Sequence, residues 1–144
     1  MATDRTAHVT WRGNLLEGSG TIDRVGSGAF GPLEVSWPAR AEEPGGRTSP
    51  EELIAAAHAS CFSMALSHGL AQAGTPPDRL ATSATVTFQP GEGIVAVALA
   101  VEGVVPGIDA AAFESAAAAA KDGCPVSKAL AGVPQITVEA RLAG

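Results

Sequence analysis

SPEELIAAAHASCFSMALSHGLAQAG, residues 49 to 74, predicts one long helix near the middle of this 144-residue sequence. Ser49 is a preferred N-cap residue, Pro50 suits the first helical position, and Glu52 completes a capping box with Ser49. Gly74 begins a Gly-Thr-Pro-Pro segment that cannot continue the helix. We therefore expect a helix that begins after Ser49 and ends just before Gly74.

Apolar residues recur along this helix at a spacing of about 3.6 residues, which predicts one buried face. The residues assigned to that face are Leu53, Ile54, Ala57, Cys61, Met64, Ala65 and His68. The other faces carry small residues, namely Ala55, Ala56, Ala59 and Ala71. Such a helix allows several neighbouring elements to pack closely against it.

The segments on either side of this helix predict short strands and two further helices. Asp109 is a preferred N-cap for an Ala-rich helix that runs to about Asp122, and a shorter helix would begin at Cys124 with Pro125 in its first position. Alternation of apolar and polar residues predicts strands at residues 7–12, 19–24, 33–37 and 135–142 and a hairpin at 82–104, while residues 38–48 predict a loop. The order β-β-β-α-β-β-α-α-β indicates an α+β fold of helices on antiparallel sheets.

Length and charge restrict the classes of protein to consider. A chain of 144 residues is long enough for one hydrophobic core and too short for two, so we predict a single domain at residues 1–144. The net charge of −6 argues against nucleic acid and acidic membrane surfaces as partners, because these require clusters of Lys and Arg. The N-terminus MATDRTAHVT has no apolar signal core, and no stretch reaches the roughly 18 apolar residues of a membrane span. We expect a cytoplasmic protein without a membrane partner.

The two cysteines of the sequence both occupy helical positions. Cys61 lies in the middle of the long helix, and Cys124 lies where a short helix begins. Thiols in a reducing compartment are more typical of catalysis or metal binding than of a structural disulfide. Neither cysteine has a Cys or His at a metal-binding spacing such as C-x-x-C. The pattern therefore favours redox catalysis by a pair of thiols.

Three motifs, SPEELIAAAHASCFSMAL, VPGIDAAAF and GCPVSKAL, resemble the corresponding stretches of the OsmC family (osmotically inducible protein C), relatives of the organic hydroperoxide resistance peroxidases. The resemblance extends over essentially the whole chain, from VTWRGN to QITVEARL. It implies a thiol-dependent peroxidase that reduces organic hydroperoxides without a metal or flavin cofactor. It also implies an OsmC-like fold, with antiparallel sheets wrapped around a long central helix, in an intertwined homodimer whose active sites lie at the subunit interface.

The same resemblance implies roles for both cysteines and a class of reductant. Cys61 in HASCFS matches the peroxidatic cysteine, and Cys124 in GCPVS matches the resolving cysteine. A thiolate attacks the hydroperoxide and becomes a sulfenic acid, which a second thiol condenses to a disulfide. The related enzymes suggest that a thiol or dithiol reductant, such as a lipoyl group, then restores the two thiols.

Glu51 in SPEEL and Arg40 in WPARAEE match the glutamate and the arginine that act beside the peroxidatic cysteine. A thiol with a pKa near 8.5 is only a few per cent ionised at neutral pH, and the helix dipole gives little help in mid-helix, so the attacking cysteine needs a cation. A carboxylate such as Glu51 would hold the guanidinium in a fixed fork. Other arginines remain open as the activating residue, namely Arg12, Arg24 and Arg47.

Spacing on the long helix predicts that the site is built from two chains. Glu51 and Cys61 are ten residues apart, which corresponds to about 15 Å along a straight helix and roughly 80° around it. An arginine that bridges both groups would hold them within about 7 Å. We therefore expect an antiparallel copy of the helix, in a homodimer, to bring Glu51 close to Cys61 of the partner subunit. Nearby Phe62, Met64 and Ile54 would suit an alkyl chain.

Two other classes of protein stay open. A cysteine-dependent acyl-transfer enzyme would need a general base beside Cys61, whereas a non-catalytic stress-related binding protein would keep its role with both cysteines replaced by serine. His58 lies about 60° around the helix from Cys61, and His68 about 10 Å along it, so we expect both histidines to be structural. Peroxide-dependent disulfide formation between Cys61 and Cys124 separates the peroxidase from both alternatives.

Overall fold

The computed structural model describes residues 1–143, and it divides the chain into two compact units. The first unit is Met1–Leu53, and the second begins at Ile54. The single domain at residues 1–144 stays a prediction, and its last residue, Gly144, lies outside the described residues.

The first unit contains a three-stranded antiparallel sheet. Its strands are β1 (Ala7–Arg12), β2 (Ser19–Val25) and β3 (Leu33–Val35), in the order β1-β2-β3. The first two strands lie where the alternating pattern predicts them. The third strand is shorter than predicted, since it ends at Val35 and not at Trp37.

A short helix, α1 (Trp37–Ala41), replaces the start of the predicted loop. Ser36 is its N-cap, because the Ser36 hydroxyl accepts a hydrogen bond of 3.2 Å from the backbone N–H of Ala39. Pro38 occupies one of the first two helical positions, where its missing N–H costs nothing. The prediction of a strand to residue 37 and a loop from residue 38 was therefore wrong, and Arg40 lies in the last turn of a helix.

The long helix α2 (Pro50–Gln72) begins and ends as predicted. Its capping box forms in part: the Ser49 hydroxyl accepts a hydrogen bond of 3.2 Å from the backbone N–H of Glu52, but the Glu52 carboxylate accepts one of 2.9 Å from the Thr48 hydroxyl. Gly74 follows the helix with a φ of +86°, a conformation that glycine adopts without strain.

The second unit combines a three-stranded sheet with the rest of the helices. Strands β4 (Arg79–Gln89) and β5 (Gly93–Val104) form the predicted antiparallel hairpin. Helices α3 (Ala110–Gly123) and α4 (Pro125–Ala129) follow, and β6 (Gln135–Leu142) completes the sheet in the order β4-β5-β6. The α+β class is confirmed, but β6 pairs parallel to β5, so this sheet is not wholly antiparallel. The two helices form the crossover connection that a parallel pair requires.

The core of the second unit forms around a different face of α2 from the predicted one. Phe62, Leu66 and Leu70 are the fully buried apolar residues of the helix, and they pack in one cluster with Phe113 of α3. Met64, assigned to the buried face, is 72% exposed, and Ala57 and His68 are exposed as well. The prediction failed because apolar and small residues surround the whole helix, so their spacing does not select one face.

The composition of α2 also meets the length and hydropathy expected of a membrane span, with a mean hydropathy of 1.3. A count of uninterrupted apolar residues does not detect this span, because histidines and serines interrupt the run while the mean hydropathy stays high. The core helix of a soluble protein meets the same criterion. Here α2 supplies core residues to the second unit.

Candidate active site

The two cysteines lie side by side in the second unit. Their sulfur atoms are 2.9 Å apart, and both thiols are free. Cys61 is half-buried on α2, whereas Cys124 is fully buried at the N-cap of α4. A disulfide requires a separation of about 2.05 Å. The fold therefore brings together two reduced thiols that are 63 residues apart in the sequence and within reach of a disulfide.

The two thiols differ in acidity. Burial raises the pKa of Cys61, and its hydrogen bond with Cys124 raises it further, while the backbone N–H of Val126 partly opposes both effects. Burial also raises the pKa of Cys124, but its hydrogen bond with the Cys61 thiol and hydrogen bonds from the backbone N–H groups of Ser127 and Val126 and from the Ser127 hydroxyl lower its pKa overall. These groups stabilise the thiolate even though the Cys124 sulfur makes no regular capping hydrogen bond to α4. Within this unit the negative charge is favoured on Cys124.

Arg40 and Glu51 form a bidentate ion pair in the first unit. The Arg40 Nε donates to both carboxylate oxygens of Glu51 at 3.0 and 3.1 Å, and Nη2 donates to Oε2 at 2.9 Å. The Glu51 side chain is 8% exposed, whereas that of Arg40 is 32% exposed. The last turn of α1 and the first turn of α2 position the pair. A carboxylate that accepts hydrogen bonds along one edge of the guanidinium fixes the orientation of that group.

The other candidate arginines lie in different surroundings. Arg47 is 3.8 Å from the exposed carboxylate of Glu34, and its own side chain is 44% exposed. Arg12 and Arg24 are exposed residues of β1 and β2. Of the four arginines that the sequence analysis considered, Arg40 is the one that the first unit joins to Glu51.

His58 is fully buried on α2 and makes a contact that the sequence analysis missed. Its Nε2 lies 2.7 Å from the Ser127 hydroxyl, and its Nδ1 has no hydrogen-bond partner among residues 1–143. Burial lowers the pKa of His58, so the ring is neutral. The spacing of His58 on the helix was informative only about its distance from Cys61. The available signal was Ser127 itself, three residues after Cys124 in GCPVS, where a side chain faces the N-cap.

The apolar surroundings expected for an alkyl substrate are only partly present. Phe62 is fully buried in the core, whereas Met64 is exposed. Two cavities of the second unit, of about 890 and 670 Å³, are lined by the sheet and by α2 and α3, but Cys61 lines neither of them. Neither of these two cavities therefore provides a binding surface for an alkyl chain at Cys61.

Comparison with known proteins places these residues in context. Residues 43–139 match the family model of OsmC-like proteins. The chain is 40% identical over 145 residues to peroxiredoxin OsmC of Escherichia coli (strain K12) and to that of Shigella flexneri, and the match covers 99% of each chain.

Solved structures extend the similarity to three dimensions. The organic hydroperoxide resistance protein OhrB of Bacillus subtilis is 27% identical, with a TM-score of 0.64 over 96% of this chain and 98% of that one. A putative organic hydroperoxide resistance protein of Vibrio cholerae is 26% identical, with a TM-score of 0.69 over 100% of this chain and 95% of that one. The resemblance stated from the three motifs is confirmed.

Proposed function

The chain belongs to the OsmC family, and on this premise we propose that it is a cysteine-based peroxidase that reduces organic hydroperoxides to alcohols in oxidative or osmotic stress defence. The observation that carries the proposal is the 2.9 Å separation of the Cys61 and Cys124 sulfurs. Two free thiols at this distance can exchange the two electrons of a peroxide reduction through a disulfide.

The reaction divides into two steps. The Cys61 thiolate attacks the distal oxygen of the hydroperoxide, the O–O bond breaks, and the alkoxide takes a proton and leaves as the alcohol. Cys61 is then a sulfenic acid. The Cys124 thiolate attacks the Cys61 sulfur, the S–O bond breaks, and the hydroxide leaves as water after taking a proton, with a Cys61–Cys124 disulfide as the product. A thiol or dithiol reductant, of lipoyl type in our proposal, reduces that disulfide.

Cys61 is the attacking thiol in this scheme because it is the more exposed of the two. Its pKa, however, is raised by burial and by the Cys124 hydrogen bond, so the second unit alone keeps it protonated at neutral pH. A cation must lower that pKa. The Arg40–Glu51 pair is the candidate, since its guanidinium is oriented by the carboxylate and is still 32% exposed.

We place that cation in the partner subunit of a homodimer. Helix α2 is continuous from Pro50 to Gln72, so the distance of about 15 Å expected between Glu51 and Cys61 along one helix applies. An Arg40 held by Glu51 would then serve Cys61 of the partner subunit. Each site would combine the ion pair of one chain with the thiol pair of the other.

Exposed apolar residues on the first unit support the homodimer. All six residues of β1 are exposed. A cluster of large apolar side chains on an exposed surface is typical of a region that another chain covers. The exposed large apolar residues of this unit include Val9, Trp11, Leu15, Leu16, Phe30 and Leu33. The same proposal covers the intertwined arrangement, the single domain and the cytoplasmic location, with no nucleic-acid or membrane partner.

A thiol count tests the proposed function. The reduced protein has two thiols per chain, and one equivalent of cumene hydroperoxide should remove both, with one equivalent of alcohol formed. A non-reducing gel should show no new cross-linked dimer, because the disulfide forms within one chain. Two thiols that persist after the peroxide is added would refute the peroxidase. An acyl-transfer enzyme would give that result, but His58, its candidate base, is held by Ser127 and not by Cys61.

A further inference from the structure

We propose that His58 is a positioning residue for the resolving cysteine: its Nε2–H donates to the Ser127 oxygen, so that the Ser127 hydroxyl proton points at the Cys124 sulfur. The inference rests on the proposed function for its role in turnover, but not for its effect on Cys124 itself. The reaction scheme has no role for the buried His58, but it requires Cys124 as a thiolate, and the proposed hydrogen bonds connect the two residues.

The hydrogen-bond distances carry the first step. His58 Nε2 and Ser127 Oγ are 2.7 Å apart, and His58 is 0% exposed while Ser127 is 8% exposed. Water therefore does not compete for this contact, and a hydrogen bond in such surroundings is stronger than one at the surface. Ser127 lies in the first turn of α4, whose N-cap is Cys124.

The unpartnered ring nitrogen indicates the direction of the hydrogen bonds. Nδ1 of His58 is buried without a partner in the described part of the chain, and a buried N–H without an acceptor is rarer and more costly than a bare ring nitrogen. The proton of the neutral ring therefore belongs on Nε2, which makes His58 the donor to Ser127. The Ser127 hydroxyl is then free to donate to Cys124, which agrees with the lowering of the Cys124 pKa by that hydroxyl.

The arrangement gives a reason for the lowered pKa of Cys124, a thiol that does not attack peroxide in this scheme. Cys124 must be a thiolate when Cys61 becomes a sulfenic acid, because a protonated thiol condenses slowly and leaves time for a second peroxide to give the sulfinic acid. Hydrogen bonds to the Cys124 thiolate therefore protect Cys61 from irreversible oxidation. His58 contributes through Ser127 and touches neither sulfur in this scheme.

Other ionisable groups lie near the two ends of this chain of hydrogen bonds. The Cys61 thiol of α2 faces Cys124 directly. Lys121 and Asp122 of α3 and Lys128 of α4 line a cavity of about 260 Å³ beside Ser127. A pH titration of Cys124 must therefore be compared between variants that leave these groups unchanged.

The test measures Cys124 ionisation without any peroxide. In a Cys61→Ser background Cys124 is the sole thiol, and the chain has no tyrosine, so the thiolate absorbance near 240 nm reports this one group. Adding Ser127→Ala or His58→Leu should raise the titration midpoint by about one pH unit, the size expected for one hydrogen bond to a charged group. The double variant should match Ser127→Ala alone, and His58→Gln, whose amide N–H can donate to Ser127, should restore part of the shift.

A matched control separates positioning from stability. Ser63 on α2 and Thr82 on β4 form another hydroxyl contact of 2.7 Å, and Ser63→Ala should destabilise the protein without moving the midpoint. A purely structural His58 would likewise lower the melting temperature and leave the midpoint in place. A Ser127→Ala curve that superimposes on its parent would overturn the proposal, as would shifts of His58→Leu and Ser127→Ala that add.

In the protein with both cysteines, His58→Leu should consume the first equivalent of hydroperoxide at the wild-type rate but convert more Cys61 to sulfinic acid, by about tenfold at pH 7 if the shift is one unit. Mass spectrometry measures that fraction. If the protein does not react with hydroperoxide at all, the proposed function fails while the shift of the Cys124 midpoint still tests the role of His58. A midpoint that shifts with no change in sulfinic acid would overturn the protective role.

Discussion

The Arg40–Glu51 pair of the first unit and the Cys61–Cys124 pair of the second unit satisfy their polar atoms in opposite ways. The guanidinium and the carboxylate neutralise each other through three hydrogen bonds of 2.9 to 3.1 Å. The sulfur atoms share one contact of 2.9 Å between two groups of the same kind. The charges of the first pair therefore neutralise each other, whereas among residues 1–143 the groups that shift the pKa of Cys61 include no cation.

The comparison explains why we propose a cation from outside the second unit. Among residues 1–143, the side chains and backbone groups that shift the pKa of Cys61 belong to Cys124 and Val126, and neither is a cation. The net effect favours the neutral thiol. Arg40, in contrast, is oriented by Glu51, and its side chain is 32% exposed. The first pair contains a partly exposed cation, and the Cys61 thiolate of the second pair requires one.

The largest effect is expected from separating the two thiols of the second pair. Cys61→Ser should lower peroxide consumption to that of a sample without protein, because the remaining thiol, Cys124, is fully buried and out of reach of the hydroperoxide. Cys124→Ser should consume about one equivalent and then stop, because the sulfenic acid has no local thiol to condense with. Mass spectrometry of the oxidised Cys124→Ser protein should find the added oxygen on Cys61. Full turnover with an unmodified Cys61 would reverse the assignment of the two roles.

A smaller effect is expected from removing the charge of the first pair. A free thiol with a pKa near 8.5 is about 3% ionised at pH 7, and burial raises the pKa of Cys61 further, so Arg40→Ala should slow the first step by about 30-fold or more, with recovery as pH rises. Arg40→Lys should retain only part of the wild-type rate of the first step, because an ammonium cannot form the same two-point contact with Glu51. The rate of Cys61 oxidation, measured as a function of pH, tests both variants.

Arg47→Ala is the matched control for Arg40→Ala. Arg47 belongs to the same unit and also lies near a carboxylate, at 3.8 Å, but that carboxylate is the exposed Glu34 and not Glu51. The pH profile of Arg47→Ala should equal that of the wild type. A profile for Arg40→Ala that also equals the wild type would remove Arg40 from the site and return the search to Arg12, Arg24 and Arg47.

The smallest effect concerns the stability of the second unit below neutral pH. Burial lowers the pKa of His58 in the folded protein, so the unfolded chain binds a proton that the folded chain does not as pH falls below about 6.5. The wild type should lose unfolding free energy over this window by at most about 1.4 kcal/mol per pH unit more than His58→Gln. Urea unfolding at several pH values measures the difference. Parallel curves would show that His58 is protonated equally in both states.

Local signals in the sequence predicted much of the fold. Ser49, Gly74 and Asp109 gave the ends of the helices, because caps act through the backbone of their own turn. Alternation predicted β1, β2 and the hairpin of β4 and β5. The direction of β6 is a different matter, since it depends on how α3 and α4 cross the sheet and not on the residues of the strand.

The motifs of the sequence supplied the candidate site residues, whereas contacts that depend on packing could not be predicted from them. The resemblance supplied Cys61, Cys124, Arg40 and Glu51, and the structure pairs the first two and the last two. The contact of His58 with another element is not visible in the spacing of α2. The prediction of the buried face of α2 was also wrong, because apolar and small residues lie on all sides of the helix.

Complementation between two inactive variants tests the composite site most directly. A heterodimer of Glu51→Ala and Cys61→Ser chains would contain one site with the Cys61 of the first chain and the intact Arg40–Glu51 pair of the second. Co-refolding differently tagged chains, with heterodimers confirmed by native mass spectrometry, should recover up to half of the wild-type activity per heterodimer. Heterodimers of Glu51→Ala with Arg40→Ala should recover none, because both of their sites lack one member of the ion pair. Absence of recovery in confirmed Glu51→Ala and Cys61→Ser heterodimers would contradict the account, because it would mean that the ion pair does not serve Cys61 of the partner subunit.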